Sequence, residues 1–185
     1  MNWNVIKSLL AILLFSFVLV SCDDENEDDM TEVSLYSRLG GTEMVADPAN
    51  PGTMIETGYL NLRSVVDSAI FVIAADPELQ PYFQTLLTEV GNGNLTGFSA
   101  LSMSLTNFFA VATGAENFSY NGLNMVAAHD PTQNPRMNGR SDDAAFDAFV
   151  ADVGTSLGQN GVTDQELIND LVALLETLRE DVVQQ

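Results

Sequence analysis

The segment YLNLRSVVDSAIFVIAADPEL, residues 59–79, constrains the fold more than any other part of the chain. Its apolar residues recur at steps of three and four, which is the spacing of one buried face of an α-helix. This face consists of Leu62, Val65, Val66, Ala69, Ile70 and Ile73. Asp76 and Pro77 follow, and a proline disfavours helical geometry in the residue before it. The segment therefore predicts a buried helix that ends at Asp76-Pro77.

Other segments of residues 33–185 show helical signals of the same kind. FSALSMSLTNFFAVATG carries one broad apolar face, made of Phe98, Leu101, Leu105, Phe108, Phe109 and Ala112, and Gly114 follows as a stop signal. Short helices are predicted in SLYSRLGG, capped by Ser34, in PELQPYF, ending at Phe83, and from Tyr120 to His129. No segment alternates convincingly as a strand would, so the predicted fold class is all-α.

Two further helices are predicted near the C-terminus. SDDAAFDAFVADVGTSL offers Ser141 or Asp142 as its cap, and its apolar face consists of Ala144, Phe146, Phe149, Val150 and Val153. TDQELINDLVALLETLREDVV is predicted to form one long helix. Its Thr163, with Glu166 three residues later, matches the capping-box pattern.

The first residues of the chain have the dimensions of a secretory signal. Lys7 precedes the apolar run SLLAILLFSFVLVSC, which is shorter than the ~20 residues that span a bilayer. Its end, LVSC, resembles a bacterial lipobox, in which the cysteine becomes the lipid-modified first residue. We therefore predict a signal peptide at residues 1–21, lipidation at Cys22, and a membrane anchor in the cell envelope of a Gram-negative bacterium. An ordinary signal peptide with a chance cysteine is the alternative.

Acidic residues dominate the part of the chain that follows Cys22. Seven of the ten residues in DDENEDDMTE are acidic, so residues 22–32 are predicted to be a solvated, flexible tether. Such a run resembles the export signal of some surface lipoproteins, although a plain periplasmic spacer fits equally well. The whole chain has a formal net charge of −20, which repels phosphate backbones and excludes nucleic acid as a partner. The folded domain is predicted to span residues 33–185.

Most familiar chemistry is excluded because the chain has one histidine, His129, and one cysteine. A zinc site needs several histidine or cysteine ligands, so it is excluded. The sequence also contains no phosphate-binding glycine loop with a lysine and no calcium-binding loop. A lone histidine usually has a structural role. It suffices for haem, however, because the porphyrin supplies four nitrogens and the protein adds one axial imidazole and an apolar slot.

Five segments of the sequence resemble the group 1 truncated (two-over-two) haemoglobins, and they follow one another in the same order as in that family. SLYSRLGG resembles the opening LYxRLGG, and VVDSAIFVIAADPELQPYF resembles VVDxFYxxVLADPxLxxFF. LTNFFAVATGA is similar to xxxFFxxALGG, and YNGLNMVAAH is similar to YxGxxMxxAH. FDAFVADVGTSLGQNGV and the helix after it resemble the last two helices. The resemblance covers most of residues 34–183 and implies a two-over-two helical sandwich, here with inserted loops, that binds haem b.

The resemblance also assigns roles to particular residues. His129 falls on the position of the proximal iron ligand, and Met125 would pack on the porphyrin one turn earlier. Phe83 would wedge against the haem edge, Phe108 would pack on the haem, and Phe109 would line or gate a ligand tunnel. The alternative is that these aromatic residues are simply part of the core. The implied partners are a diatomic gas (O₂, NO or CO) and an electron donor of unknown identity.

This chain departs from the family in its loops and on the expected ligand side. An insertion between Gly41 and Tyr59 and two longer loops, between Phe83 and Phe98 and after His129, are predicted to surround the haem edges. The family's tyrosine is replaced by Ile70, and its two often polar helix positions hold Leu101 and Leu105. The predicted distal pocket is therefore apolar on three sides. A missing hydrogen bond, about 1–3 kcal/mol when a charge is involved, would speed oxygen dissociation about tenfold to a hundredfold. We therefore expect a five-coordinate ferrous haem that favours NO or CO over O₂.

The haem propionates prefer basic partners, and Arg136 and Arg140 after His129 are the candidates, with loop solubility as the alternative role. An enzyme, either an NO dioxygenase or a peroxidase, is a competing function. NO dioxygenation needs a stable complex with oxygen, and a peroxidase needs a distal acid or base. A third possibility is a haemless helical module that serves as a surface lipoprotein.

Overall fold

The computed structural model describes residues 33–185, which form a helical domain with one small β-hairpin. The predicted signal peptide (residues 1–21), the lipidation site Cys22 and the tether (residues 22–32) lie outside the described residues. The domain predicted for residues 33–185 is the part of the chain that the structure covers.

The elements follow one another in a simple order. Helix α1 (Leu35–Arg38) leads into strands β1 (Met44–Ala46) and β2 (Met54–Glu56). Helix α2 (Thr57–Ala75) is followed by a 3₁₀ helix (Gln80–Phe83) and by helix α3 (Gln84–Gly91). Helix α4 (Thr96–Ala112) is joined by a long loop to the short helix α5 (Met125–His129). The C-terminal helices are α6 (Asp143–Gln159), α7 (Gln165–Glu176) and α8 (Arg179–Val182).

Helix α2 is the central helix of the domain. All six residues predicted for its buried face are at most 8% exposed. It packs against α4 and against α6, so both neighbours are positioned by it. By length and composition alone α2 could cross a membrane, but its apolar face packs the core of this domain. The helix ends at Ala75, immediately before the predicted Asp76-Pro77 stop.

The N-terminal end of the core contains a satisfied buried carboxylate. Tyr36 of α1 is 2% exposed, and its hydroxyl donates to Glu56 Oε2 over 2.6 Å. The other oxygen of Glu56 accepts a hydrogen bond of 2.7 Å from the Asn117 amide. Burial, and then the hydrogen bond to Glu56, raise the pKa of Tyr36 above its ordinary value. These bonds join α1, β2 and the loop after α4, because an unpaired buried carboxylate would be costly.

The hairpin and α3 are absent from the sequence-based prediction. The strands pair Met44 with Glu56 and Ala46 with Met54, and each strand has only three residues. Alternation cannot be recognised over so short a run. The loop between the strands is held by Asp47, whose carboxylate accepts a hydrogen bond of 2.8 Å from Arg63 of α2.

Two predicted helix starts are wrong, that of α5 by several residues and that of α7 by one. Helix α5 begins at Met125 rather than Tyr120, because the side chain of Asn124 caps it by accepting the N–H of Ala127 over 2.9 Å. The cap of α7 is Asp164 instead of Thr163, and its carboxylate accepts the backbone N–H groups of the next turn. For α6 the predicted alternative Asp142 is confirmed as the cap.

The predicted last helix is divided into α7 and α8. Arg179, the first residue of α8, forms ion pairs of 3.1 Å and 2.7 Å with Asp143 and Asp147 of α6. Its guanidinium also lies 4.3 Å above the ring of Phe146. These contacts direct the chain back onto α6 instead of prolonging α7. On α6 itself the predicted face is partly wrong, because Ala144 is exposed and Ala145 is buried instead.

Candidate functional site

A cavity of about 310 Å³ is lined by residues of the 3₁₀ helix, of helices α2 to α6 and of α8, and by loop residues between these elements. Its wall is almost wholly apolar. The structure brings all eight sequence-predicted site residues to this wall: Ile70, Phe83, Leu101, Leu105, Phe108, Phe109, Met125 and His129. Their roles toward a haem remain predictions.

Helix α4 buries its small residues and presents its large ones to the cavity. Ser102, Thr106 and Ala110, spaced one turn apart, are its buried residues. The larger apolar residues on the cavity side are only partly buried: Leu101, Leu105, Phe108 and Phe109. Small buried residues let α4 pack closely against α2. A concave wall of large apolar side chains that the protein itself leaves uncovered is the usual form of a ligand site.

His129 is the last residue of α5, and its ring lies on the cavity wall. Its Nδ1 atom is 2.9 Å from the carbonyl oxygen of Met125. A carbonyl can only accept, so Nδ1 carries the proton and Nε2 has a free lone pair. Among the described residues Nε2 has no hydrogen-bond partner. Burial lowers the pKa of His129, although the bond to Met125 opposes this, so the imidazole is neutral at pH 7.

The walls formed by α2 and α4 differ from the prediction in one residue. Ile70 is 5% exposed and lines the cavity together with Leu101 and Leu105, as the sequence predicts. Ser104, which lies between the two leucines, lines it as well and brings a hydroxyl group into this apolar surface. Its hydroxyl forms no hydrogen bond within residues 33–185. The predicted pocket, apolar on three sides, therefore contains one neutral donor.

Neither predicted propionate partner lines the cavity. Arg136 forms a two-pronged ion pair with Glu89 of α3, with distances of 3.0 Å and 2.6 Å, and it holds the pKa of Glu89 below its ordinary value. Arg140 pairs with Asp130 over 2.8 Å. In the described part of the chain no other arginine lines the cavity either. Both arginines pair with carboxylates in this structure, and their role toward the propionates stays a prediction.

The two longer loops that were predicted to surround the site are bonded to each other. The first of them, between Phe83 and Phe98, consists largely of helix α3. At the N-terminal end of α3, the side chain of Asn138 accepts a hydrogen bond of 3.0 Å from the N–H of Thr85. At its C-terminal end, Glu89 forms the ion pair with Arg136. Residues 130–140 therefore lie along α3, and Asn134 and Met137 of this loop line the cavity.

Five polar residues on the wall were missed by sequence reasoning: Tyr82, Ser104, Tyr120, Asn134 and Ser141. Tyr120 packs edge-on against Phe108, with ring centroids 5.3 Å apart, and its hydroxyl donates to the carbonyl of Leu123 over 2.7 Å. Burial raises the pKa of Tyr82. Tyr82 could have been predicted from its neighbour Phe83, which the sequence assigns to the site. Nothing local in the sequence distinguishes Ser104 from the other serines of α4.

Comparison with known proteins supports one architecture. No family model and no curated protein matches the chain. Solved structures do match, among them a mutant truncated haemoglobin from Tetrahymena pyriformis in the Fe(III) form, with 21% identity and a TM-score of 0.56. Another is the 2/2 haemoglobin of Synechococcus sp. PCC 7002 in the cyanomet state with covalently attached haem, with 22% identity and a TM-score of 0.54. Each comparison covers 82% of this chain and 99% of the other. The predicted fold class is confirmed: a largely helical, truncated-globin fold.

The lowered pKa of His129 predicts a pH-dependent stability of the haem-free protein. Below the ordinary pKa of 6.5 the unfolded chain binds a proton that the folded chain resists. The free energy of unfolding should therefore fall as the pH drops below 6.5, until the pH reaches the lower pKa of the folded state. Urea unfolding between about pH 7.5 and about pH 5.5 measures this slope. In the His129→Gln variant, the contribution of His129 to this slope should be lost. Equal slopes in the wild-type protein and the variant would contradict the prediction.

Proposed function

We propose that this domain, which has the fold of the truncated haemoglobins, binds haem b through His129 and a diatomic gas at the haem iron. One observation carries the proposal: the neutral imidazole of His129, oriented by the Met125 carbonyl, lines an apolar cavity and has its Nε2 lone pair free. A porphyrin needs one axial nitrogen and an apolar slot from the protein. Membership of group 1 belongs to the proposal and is supported by the sequence motifs.

The residues of this chain fit the apolar part of a haem. His129 would ligate iron through Nε2, while its Nδ1–H bond to Met125 keeps the ring from rotating. The side chains of Met125, Phe83 and Phe108 line the cavity and would cover the porphyrin. No cationic side chain of residues 33–185 lines the cavity, so any ion pair with the propionates would come from residues beside its wall, with Arg136 and Arg140 as the candidates.

The haem iron supplies the site at which the gas binds, and the chain controls what surrounds it. Helices α2 and α4 contribute Ile70, Leu101 and Leu105 to the wall, with Ser104 as their one hydrogen-bonding side chain there. A neutral hydroxyl stabilises a polar ligand less than a charged donor does. Binding of NO and CO depends less on such a donor than binding of O₂. We therefore propose that the domain favours NO or CO, for sensing, storage or NO protection.

The enzymatic alternatives find less support in the cavity. Within residues 33–185 the titratable side chains on its wall are His129, Tyr82 and Tyr120. With His129 on the iron, only the two phenols remain, and a phenol is a poor general base at neutral pH. The apolar wall also disfavours the stable oxygen complex that NO dioxygenation needs. An electron donor is still required to keep the iron ferrous.

The proposed location is the cell envelope, with Cys22 as the lipid-modified anchor. The proposal is supported by the LVSC sequence after an apolar run and by the acidic residues that follow it. Replacement of Cys22 by serine should move the protein from the membrane fraction to the soluble fraction. Unchanged fractionation of this variant would contradict lipidation at Cys22.

Haem uptake tests the proposed function directly. Haem titrated into the wild-type protein should give a Soret band that saturates at one haem per chain. His129→Ala should weaken uptake and change the spectrum, because the axial nitrogen is lost, and added imidazole should restore the spectrum. Val126→Ala is the matched control, since Val126 lies on the same helix and is 46% exposed. No uptake by the wild-type protein would favour the haemless interaction module.

The ligand preference can be tested by adding a donor to the α4 wall. Leu101→Gln should slow O₂ dissociation about tenfold, equivalent to ~1.4 kcal/mol, and change CO dissociation much less. Met103→Gln on the same helix is the control, because Met103 is 61% exposed. Flash photolysis and stopped-flow mixing give the rates. Slow O₂ dissociation from the wild-type protein, or a large acceleration by Ser104→Ala, would show that a donor is already present and contradict the account.

A further inference from the structure

Helix α5 is too short to fix the position of His129 by itself. It has five residues, Met125–His129, whereas isolated helices shorter than about 12–15 residues are marginal in water. Because His129 Nδ1 is bonded to Met125 of the same helix, the direction of Nε2 follows the orientation of α5. That orientation has to be set by bonds from other parts of the chain.

Three side-chain amides or carbonyls outside α5 supply these bonds. The Asn124 side chain caps the N-terminal end by accepting the N–H of Ala127. Asn134, in the loop after the helix, donates its amide to the Ala128 carbonyl over 2.7 Å. The third bond comes from the other end of the sequence: Gln184 Nε2 donates to the Val126 carbonyl over 2.8 Å.

Gln184 is itself held in place by several bonds. Its backbone N–H donates to the Ser141 carbonyl over 3.0 Å. Its side-chain oxygen accepts a hydrogen bond of 3.2 Å from Arg140, and the same guanidinium pairs with Asp130 over 2.8 Å. Asp130 directly follows His129 and is the C-terminal cap residue of α5. Gln184 is therefore connected to α5 in two ways. It bonds directly to the Val126 carbonyl, and it is linked through Arg140 to Asp130 at the C-terminal end of the helix.

We infer that Gln184 is a positioning residue for His129: its side-chain amide holds the Val126 carbonyl and so fixes α5 and the direction of Nε2. Val126 follows Met125, whose carbonyl orients the imidazole, so a shift of this peptide unit moves the ring with it. The inference rests on the proposed function only where it concerns iron ligation. The bond itself is a property of the haem-free chain.

Two variants separate the amide donor from simple anchoring of the C-terminal end. Gln184→Ala removes both the amide donor to the Val126 carbonyl and the oxygen that accepts from Arg140. Gln184→Glu keeps an acceptor for Arg140 and the backbone bond to Ser141, but it has no donor for the Val126 carbonyl. Gln159→Ala, at the exposed end of α6, is the control.

Amide hydrogen exchange in the haem-free, untagged protein is the first measurement. Both Gln184 variants should accelerate exchange in α5 roughly three- to tenfold, as expected when one solvent-accessible hydrogen bond is lost, and the Gln159 variant should not. His129 is the only histidine, so its ring resonances in NMR spectra belong to one residue, and they should shift in the same two variants. Unchanged exchange in both variants, or acceleration by Gln184→Ala alone, would overturn the inference.

The haem-loaded protein gives a second, independent measurement. The iron–imidazole stretching band in resonance Raman spectra should shift or broaden in both Gln184 variants and stay unchanged in the control. An unshifted band in both variants would contradict the positioning of Nε2. If the wild-type protein takes up no haem, the proposed function fails, while the exchange result still decides whether Gln184 positions α5.

Discussion

The hydrogen bond from Nδ1 of His129 to the Met125 carbonyl is the interaction on which the site depends. It fixes the tautomer, leaves the lone pair on Nε2, and ties the ring to the axis of a five-residue helix. Burial keeps the imidazole neutral, and a neutral imidazole is the form that ligates a metal. The remaining interactions around α5 matter because they hold this one ring in place against the cavity.

The cavity exists because α4 separates its residues by size. Ser102, Thr106 and Ala110 are buried in the core, and this leaves the larger side chains of the helix beside open space. A chain selected only for stability would fill such a space, since uncovered apolar surface forfeits about 25 cal/mol per Å². The arrangement is consistent with an apolar group that completes the core when it binds. Helix α3 and residues 130–140, joined by Arg136 and Glu89, close one side of that space.

Local patterns in the sequence were sufficient to predict much of the fold and of the candidate site. The buried face and the end of α2 follow from its periodicity and from Pro77, and His129 stands out because it is the only histidine. Features that depend on distant residues were not predictable. Gln184 contacts a residue 58 positions away, and the exposure of Ser104 to the cavity depends on the rotation of α4 against its neighbours. The β-hairpin was missed because strands of three residues carry too little periodicity.

In the proposed function, a ring nitrogen of His129 is the one ligand that this chain gives to iron. Because the chain contains a single histidine, ¹⁵N-histidine incorporated into untagged protein labels only this ring. Pulsed electron paramagnetic resonance of the iron in the haem-loaded protein should then show one strong axial ¹⁵N coupling in place of the ¹⁴N coupling of unlabelled protein. Bound haem whose iron shows no ¹⁵N coupling would instead show that His129 does not ligate the metal, and would overturn the proposed function of this residue.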